Sequence, residues 1–169
     1  MAALSIGRAL AWLAEREPER PAITFEGRTV SRRELDSETN RLARAYQALG
    51  VGQDDFVTIA LANGIEHYQA AFAAWKLGAT PQPISARLPA AEREAIVALA
   101  EPKLIVGVAP ESHPDHATLP ADFRPDPGLS DAALPDRTAR HWKAPTSGGS
   151  TGRPKLIVAG ATAYTRVID

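Results

Sequence analysis

Residues 146–155 read TSGGSTGRPK, a stretch in which four hydroxyls and three glycines precede a proline and a lysine. Thr146, Ser147, Ser150 and Thr151 can donate O–H groups, and Lys155 adds a positive charge. Gly148, Gly149 and Gly152 free the backbone to turn its N–H groups inward, which suits a polyphosphate ligand. The spacing is not that of the GxxxxGK[ST] loop, because the residue five after Gly148 is Arg153 and the one five after Gly149 is Pro154, so a generic P-loop ATPase is disfavoured. A run of Gly and Ser also fits a flexible linker. Position argues against that reading: the stretch lies between a weak strand pattern at 140–145 and a strong one at 155–159, and linkers rarely join two strands while ending in a fixed Pro-Lys.

Other residues able to do chemistry are more simply read as structure. His113 and His116 flank Pro114 and Asp115, but no third ligand clusters with them, so a metal site is not expected. His67 falls beside the apolar face of a helix. His141, just before the hydroxyl-rich loop, could contact phosphate or substrate, or be a surface residue at a strand end. Tyr68, Phe72 and Trp75 repeat at helical spacing and are expected to pack. Arg32 and Arg33 sit in a first helical turn, against the dipole, and fit a solvated face. Glu34 is a helix cap before it is an acid, and Lys76 is structural or interfacial before it is catalytic. No residue is singled out as catalytic or as a metal ligand.

The elements that must position the loop follow from patterning. Ser5 can cap a helix striped by Ile6, Ala9, Leu10 and Leu13 that ends at Glu15, Arg16, Glu17 and Pro18. Residues 22–25 and 28–30 flank Glu26-Gly27 as a tight hairpin. Ser31 and Glu34 form a capping box for a helix carrying Leu35, Leu42, Tyr46 and Leu49 down to Gly50. Residues 55–61 are short and largely apolar, as in a strand buried on both faces. Asn63 and Glu66 repeat the capping pattern for a helix striped by Ile65, Tyr68, Phe72 and Trp75 that stops at Gly78. A strand follows near 80–84, then a third helix opened by Pro89 and running through Leu99, then a buried-type strand at 103–108. This alternation predicts an α/β fold: βαβ units forming a mostly parallel sheet flanked by helices. Residues 110–135 hold six prolines and no periodic apolar face, so a long surface connection, about 110–139, is expected before the phosphate loop at 146–155.

At 169 residues and 44% hydrophobic, the chain can bury one ordinary core, and a single unit over 1–169 is expected. A net charge of −1 gives nucleic acid or an anionic membrane no hold, leaving small molecules or proteins as partners. With no cysteine there are no disulfides, thiolate catalysis or Cys-based zinc sites. No apolar run approaches a membrane span and no basic-then-apolar leader opens the chain, so a cytoplasmic protein is the expectation.

Three motifs in order resemble the adenylate-forming, AMP-dependent synthetase and ligase family. Val30 to Leu35 with Asn40, Arg41, Leu42 and Ala43 resembles its early T/S-x-x-E-L…N-R-L-A helix. Residues 75–84, WKLGATPQPI, resemble its L-K-A-G-A-x-x-x-P motif, and 146–155 resemble its phosphate loop Y-T-S-G-T-T-G-x-P-K. Thr146 replaces the usual tyrosine and Gly148 the usual serine. Leu77, residues 80–82, the WKAP at 142–145 and Leu156-Ile157 look most like the bile-acid and steroid-acid CoA ligase branch.

The resemblance implies the N-terminal subdomain of an acyl-CoA synthetase. Such enzymes use ATP and Mg2+ to convert a carboxylic acid to an acyl-adenylate and pass it to coenzyme A. It implies that Thr146, Ser147, Gly148, Gly149, Ser150, Thr151, Gly152 and Lys155 bind the nucleotide phosphates. Carrier-linked adenylation domains share these motifs, and a non-catalytic binding or assembly module retaining the subdomain is a further alternative. The family's adenine, ribose and hinge motifs and its C-terminal domain are missing. The chain is therefore expected to be an N-terminal fragment, inactive alone, weak in ATP affinity and prone to form homo-oligomers through apolar surface that the rest would cover.

Overall fold

A computed structural model describes residues 3–147, 154–158 and 164–166. Its centre is a four-stranded parallel sheet of β4 (Phe56–Ile59), β5 (Thr80–Pro83), β6 (Leu104–Val106) and β7 (Ala117–Leu119), in the order β5-β4-β6-β7. Alternation along the strands divides the core. Val57 and Ile59 of β4 and Leu104 and Val106 of β6 face α2 (Arg32–Ala48) and α3 (Ile65–Lys76), whereas Ile105 faces Ile96 and Val97 of α4 (Ala90–Ala100). The chain moves outward from β4 to β5 through α3, then back across β4 to β6 through α4 on the other face. Right-handed crossovers require this opposition of faces when the direction of travel reverses.

Before the sheet come β1 (Ala3–Ser5), α1 (Ile6–Arg16) and the antiparallel hairpin of β2 (Pro21–Phe25) and β3 (Arg28–Ser31). Glu26 and Gly27 both have positive φ, 48° and 78°, as a two-residue hairpin turn matched to strand twist demands. Ser5 caps α1, its Oγ accepting the Arg8 N–H at 3.0 Å. The capping box on α2 is present in full: Ser31 Oγ accepts the Glu34 N–H, and the Glu34 carboxylate accepts the Ser31 N–H at 2.7 Å. That bond holds the Glu34 carboxyl below its usual range. Farther on, β1 pairs antiparallel with β10 (Tyr164–Arg166), bringing residues 164–166 back to the start of the chain.

Five local expectations need correction. Of the stripe expected on α3, Ile65 is buried and Phe72 and Trp75 pack half-buried against the core, but Tyr68 is 52% exposed, and Gln69, Ala70, Ala73 and Ala74 complete the buried face. Small residues let α3 lie close against α2 and the sheet, a space that rings at those positions would overfill. Asn63 does not cap α3; Gly64 holds that place with no side-chain bond. Residues 140–145 form no strand. The proline-rich connection is more than a surface loop, since it supplies β7 and buries His113, Leu119 and Ala139. Arg32 is not merely solvated: its side chain is only 14% exposed and pairs with Glu17, as Arg33 pairs with Glu19.

Candidate functional site

Thr146 and Ser147 form β8, which pairs antiparallel with β9 (Lys155–Leu156), Thr146 opposite Leu156 and Ser147 opposite Lys155. The two short strands at the ends of the 146–155 stretch, hereafter the hairpin, thus set a hydroxyl residue and a lysine opposite each other at its base. Thr146 and Ser147 are half-buried and Lys155 is exposed, so the cation is presented outward. Gly148, Gly149, Ser150, Thr151 and Gly152 lie outside the described residues. β9 rests against α4, which puts the hairpin on the α4 side of the sheet, next to β5.

Strand β5 is built to be an edge. Thr80 N–H and Ile84 N–H donate inward to Asp55 and Ile59 of the β4 segment at 2.8 and 3.0 Å. The intervening Pro81 and Pro83 therefore turn their missing N–H positions outward, where proline costs the sheet nothing. Of that outer edge, Pro81 C=O accepts the Ala144 N–H at 3.0 Å, tying the approach to β8 onto the sheet. On the α4 face Thr58 Oγ1 donates to Gln82 Oε1 at 2.5 Å, and the Gln82 amide nitrogen, fully buried, has no partner among the described residues.

Lys76 lies in a separate buried node between α2 and α3. Its Nζ donates to Asp36 Oδ1 at 2.6 Å and Asn40 Oδ1 at 2.7 Å, and its side chain is 4% exposed. Burial presses the ammonium pKa below the usual lysine value, and the Asp36 carboxylate works against that shift. Asn40 Nδ2 donates onward to Asp131 C=O at 2.7 Å, and Arg41 pairs with the Asp131 carboxylate at 2.8 Å. Beside this node Gly7 of α1 meets α3 so closely that a Cβ there would stand 2.9 Å from Lys76 Cα. The sequence marks Lys76 as structural or interfacial; its partner set leaves only the trace of Asp36 and Asn40 four apart on one helix face.

The remaining candidates separate from the hairpin. His113 Nε2 accepts from Arg93 Nε at 3.2 Å, and burial first and the Arg93 charge second lower its pKa. Among the described residues no group of three or more His, Cys, Asp or Glu could hold a metal. His141 lies just before the hairpin, its carbonyl accepting from Thr80 Oγ1 at 3.1 Å. The larger concavities are elsewhere: an apolar groove of about 580 Å3 between Leu13, Ile23, Phe25 and Tyr68, and one of about 510 Å3 around the Arg28–Glu66 pair.

Residues 10–166 match the AMP-binding enzyme family. The chain belongs to that adenylate-forming family. Among curated AMP-binding relatives, a probable non-canonical nonribosomal peptide synthetase of Salinispora arenicola is 35% identical over 144 residues, covering 85% of this chain and 2% of that protein. Among solved structures, o-succinylbenzoate CoA synthetase of Bacillus subtilis, bound to a product analogue, superposes with a TM-score of 0.80 at 21% identity, over 93% of this chain and 33% of that one. The N-terminal subdomain of Klebsiella oxytoca NpsA superposes with a TM-score of 0.76 at 20% identity, over 94% of this chain and 42% of that one. These likenesses establish the fold, and the chain spans well under half of each of these proteins. No helix among the described residues is long and apolar enough to cross a membrane.

Proposed function

We propose that residues 146–155 hold the β- and γ-phosphates of ATP while a carboxylic acid attacks the α-phosphorus. The observation that carries this reading is the β8–β9 register, which sets Ser147 opposite Lys155 at the two ends of the glycine-rich segment. A carboxylate oxygen forms the new bond to the α-phosphorus as the bond to pyrophosphate breaks, and pyrophosphate leaves with the electron pair. The difficulty is charge, since an anion approaches a polyanion and negative charge builds on the leaving group. In this reading the N–H groups of Gly148, Gly149 and Gly152, the hydroxyls of Thr146, Ser147, Ser150 and Thr151, and the Lys155 ammonium are the donors that meet it. Mg2+ enters in this reading on the nucleotide's own phosphates, its usual manner of binding.

The acceptor in the second step is coenzyme A: its sulfur attacks the acyl carbon, and AMP departs. A second reading, in which the acceptor is a carrier-protein thiol, draws on the peptide-synthetase relative. The full-length gene product, offered fatty, aryl and steroid acids with ATP, is expected to release AMP and form an acyl-CoA. AMP release that depends on an acyl-carrier protein and ignores coenzyme A would select the second reading. No acid-dependent AMP or pyrophosphate release with any acceptor would refute both.

A further inference from the structure

We infer that Trp75 and Thr80 are positioning residues for the phosphate hairpin, acting through the irregular segment 138–145 that leads into it. A segment without regular structure must find partners for its backbone groups elsewhere. Ordinarily a neighbouring strand would supply them, but β5 has prolines at both outward positions described above. Side chains take over. Gln53 Nε2 donates to Thr138 C=O at 3.1 Å, and Asp54 Oδ1 accepts the Arg140 N–H at 2.8 Å. Thr80 Oγ1 reaches the His141 carbonyl, and Trp75 Nε1 donates to Trp142 C=O at 2.7 Å. Two consecutive carbonyls are thus pinned to the α3–β5 corner, followed at once by the backbone bond from Ala144 to Pro81.

The pinning passes directly into the hairpin. Pro145 C=O accepts the Ile157 N–H at 2.8 Å, and the next pairs are Thr146 with Leu156 and Ser147 with Lys155. The indole itself is fixed: Phe72 packs edge-on against it at 5.3 Å between ring centroids. Gly78 completes the corner. It adopts φ 71°, and a Cβ there would come within 2.9 Å of Arg137 Cβ, so the segment can cross over the end of α3 only because no side chain stands there. The aromatic residues of α3 that sequence spacing assigns to the core thus have a second task for Trp75, which is to set the base of the hairpin.

The functional half of this inference rests on the phosphate reading above, and the mechanical half does not, so hydrogen exchange on this chain separates them. Trp75→Phe removes the donor and keeps a ring; Thr80→Val removes the other donor at nearly constant volume. Each is expected to speed exchange at the Ser147, Lys155 and Ile157 amides, the ladder donors of this register, about fivefold while β4 and β6 exchange as in the wild type. Trp12→Phe, a remote indole on α1 stacked with Arg16, serves as the control and should leave the hairpin unchanged. Wild-type hairpin exchange in both test variants, or a rise shared equally by β4 and β6, overturns the inference. If Trp75→Phe does not fold, Thr80→Val carries the same comparison. In the full-length gene product, where the rest of the nucleotide site is expected, millimolar ATP should slow hairpin exchange in the wild type and less so in the variants. Absence of ATP protection in the wild type would sink the phosphate reading while leaving the positioning role standing.

Discussion

Replacing Lys76 with methionine separates a structural lysine from a catalytic one. The ammonium lies 2.6 Å from an Asp36 oxygen, a separation worth about 6 kcal/mol of gross attraction at an effective dielectric constant near 20. Most of that is offset by the cost of taking both groups out of water. What Lys76→Met adds is a carboxylate left without its cation, whose cost in a fully buried pair is about 3–5 kcal/mol. The Asp36 side chain is 17% exposed and still accepts from Asn40 Nδ2 at 3.2 Å, so water and one donor remain to it, and the expected loss is about 2–3 kcal/mol. Adding Asp36→Asn removes the stranded charge and should bring stability back to within about 1 kcal/mol of the wild type. Urea unfolding at pH 7 checks this through the transition midpoint, with the slope unchanged. A single variant within about 0.5 kcal/mol of wild type, or a double variant no better than the single, would refute the reasoning.

Other expectations concern packing, ionisation and association. Gly7→Ala should lose about 1–3 kcal/mol in the same assay, because the new Cβ meets backbone at Lys76 that cannot swing aside. Tyr46 is buried and its phenol pKa is raised far above the ordinary value, so above pH 10 the unfolded chain gives up its proton first and stability falls as pH climbs. Tyr46→Phe removes that loss, and its stability relative to wild type should gain about 1.4 kcal/mol per pH unit above pH 10. Leu99, Ile157 and Val158, exposed on or beside α4 and β9, are the apolar surface expected to drive self-association. Light scattering should show dimers or larger species that Ile157→Ser reduces, and a wild-type monomer would contradict this.

Where a single strong pattern governed an element, the sequence was enough to find it. The Ser31–Glu34 box and the Leu35, Leu42 and Tyr46 stripe define α2, and the apolar runs at β4 and β6 are strands, because in each case burial and local propensity agree. Helix α3 is legible in part: Ile65, Phe72 and Trp75 pack as their spacing implies, but Tyr68 stays exposed and the alanines that complete the buried face carry no apolar signal. Strand β7 is three residues, Ala117, Thr118 and Leu119, inside a proline-rich stretch, and exists because β6 offers a free edge. The supports of the hairpin are less legible still. They run to the carbonyls of Thr138, His141 and Trp142, and a backbone acceptor looks the same at every position of a sequence. The setting of β8 against β5 depends on Pro81 and Pro83 facing outward, which only the strand register decides.

The claim at the centre of this account is that the hairpin at 146–155 holds the phosphates of ATP during acid activation. Acid-dependent exchange of labelled pyrophosphate into ATP by the full-length gene product measures that step without regard to the later acceptor. Lys155→Met should slow the exchange about a hundredfold or more, the scale on which losing one transition-state donor acts, and the unfolding midpoint should not move. Wild-type exchange rates and an unchanged ATP dependence in Lys155→Met would contradict the account.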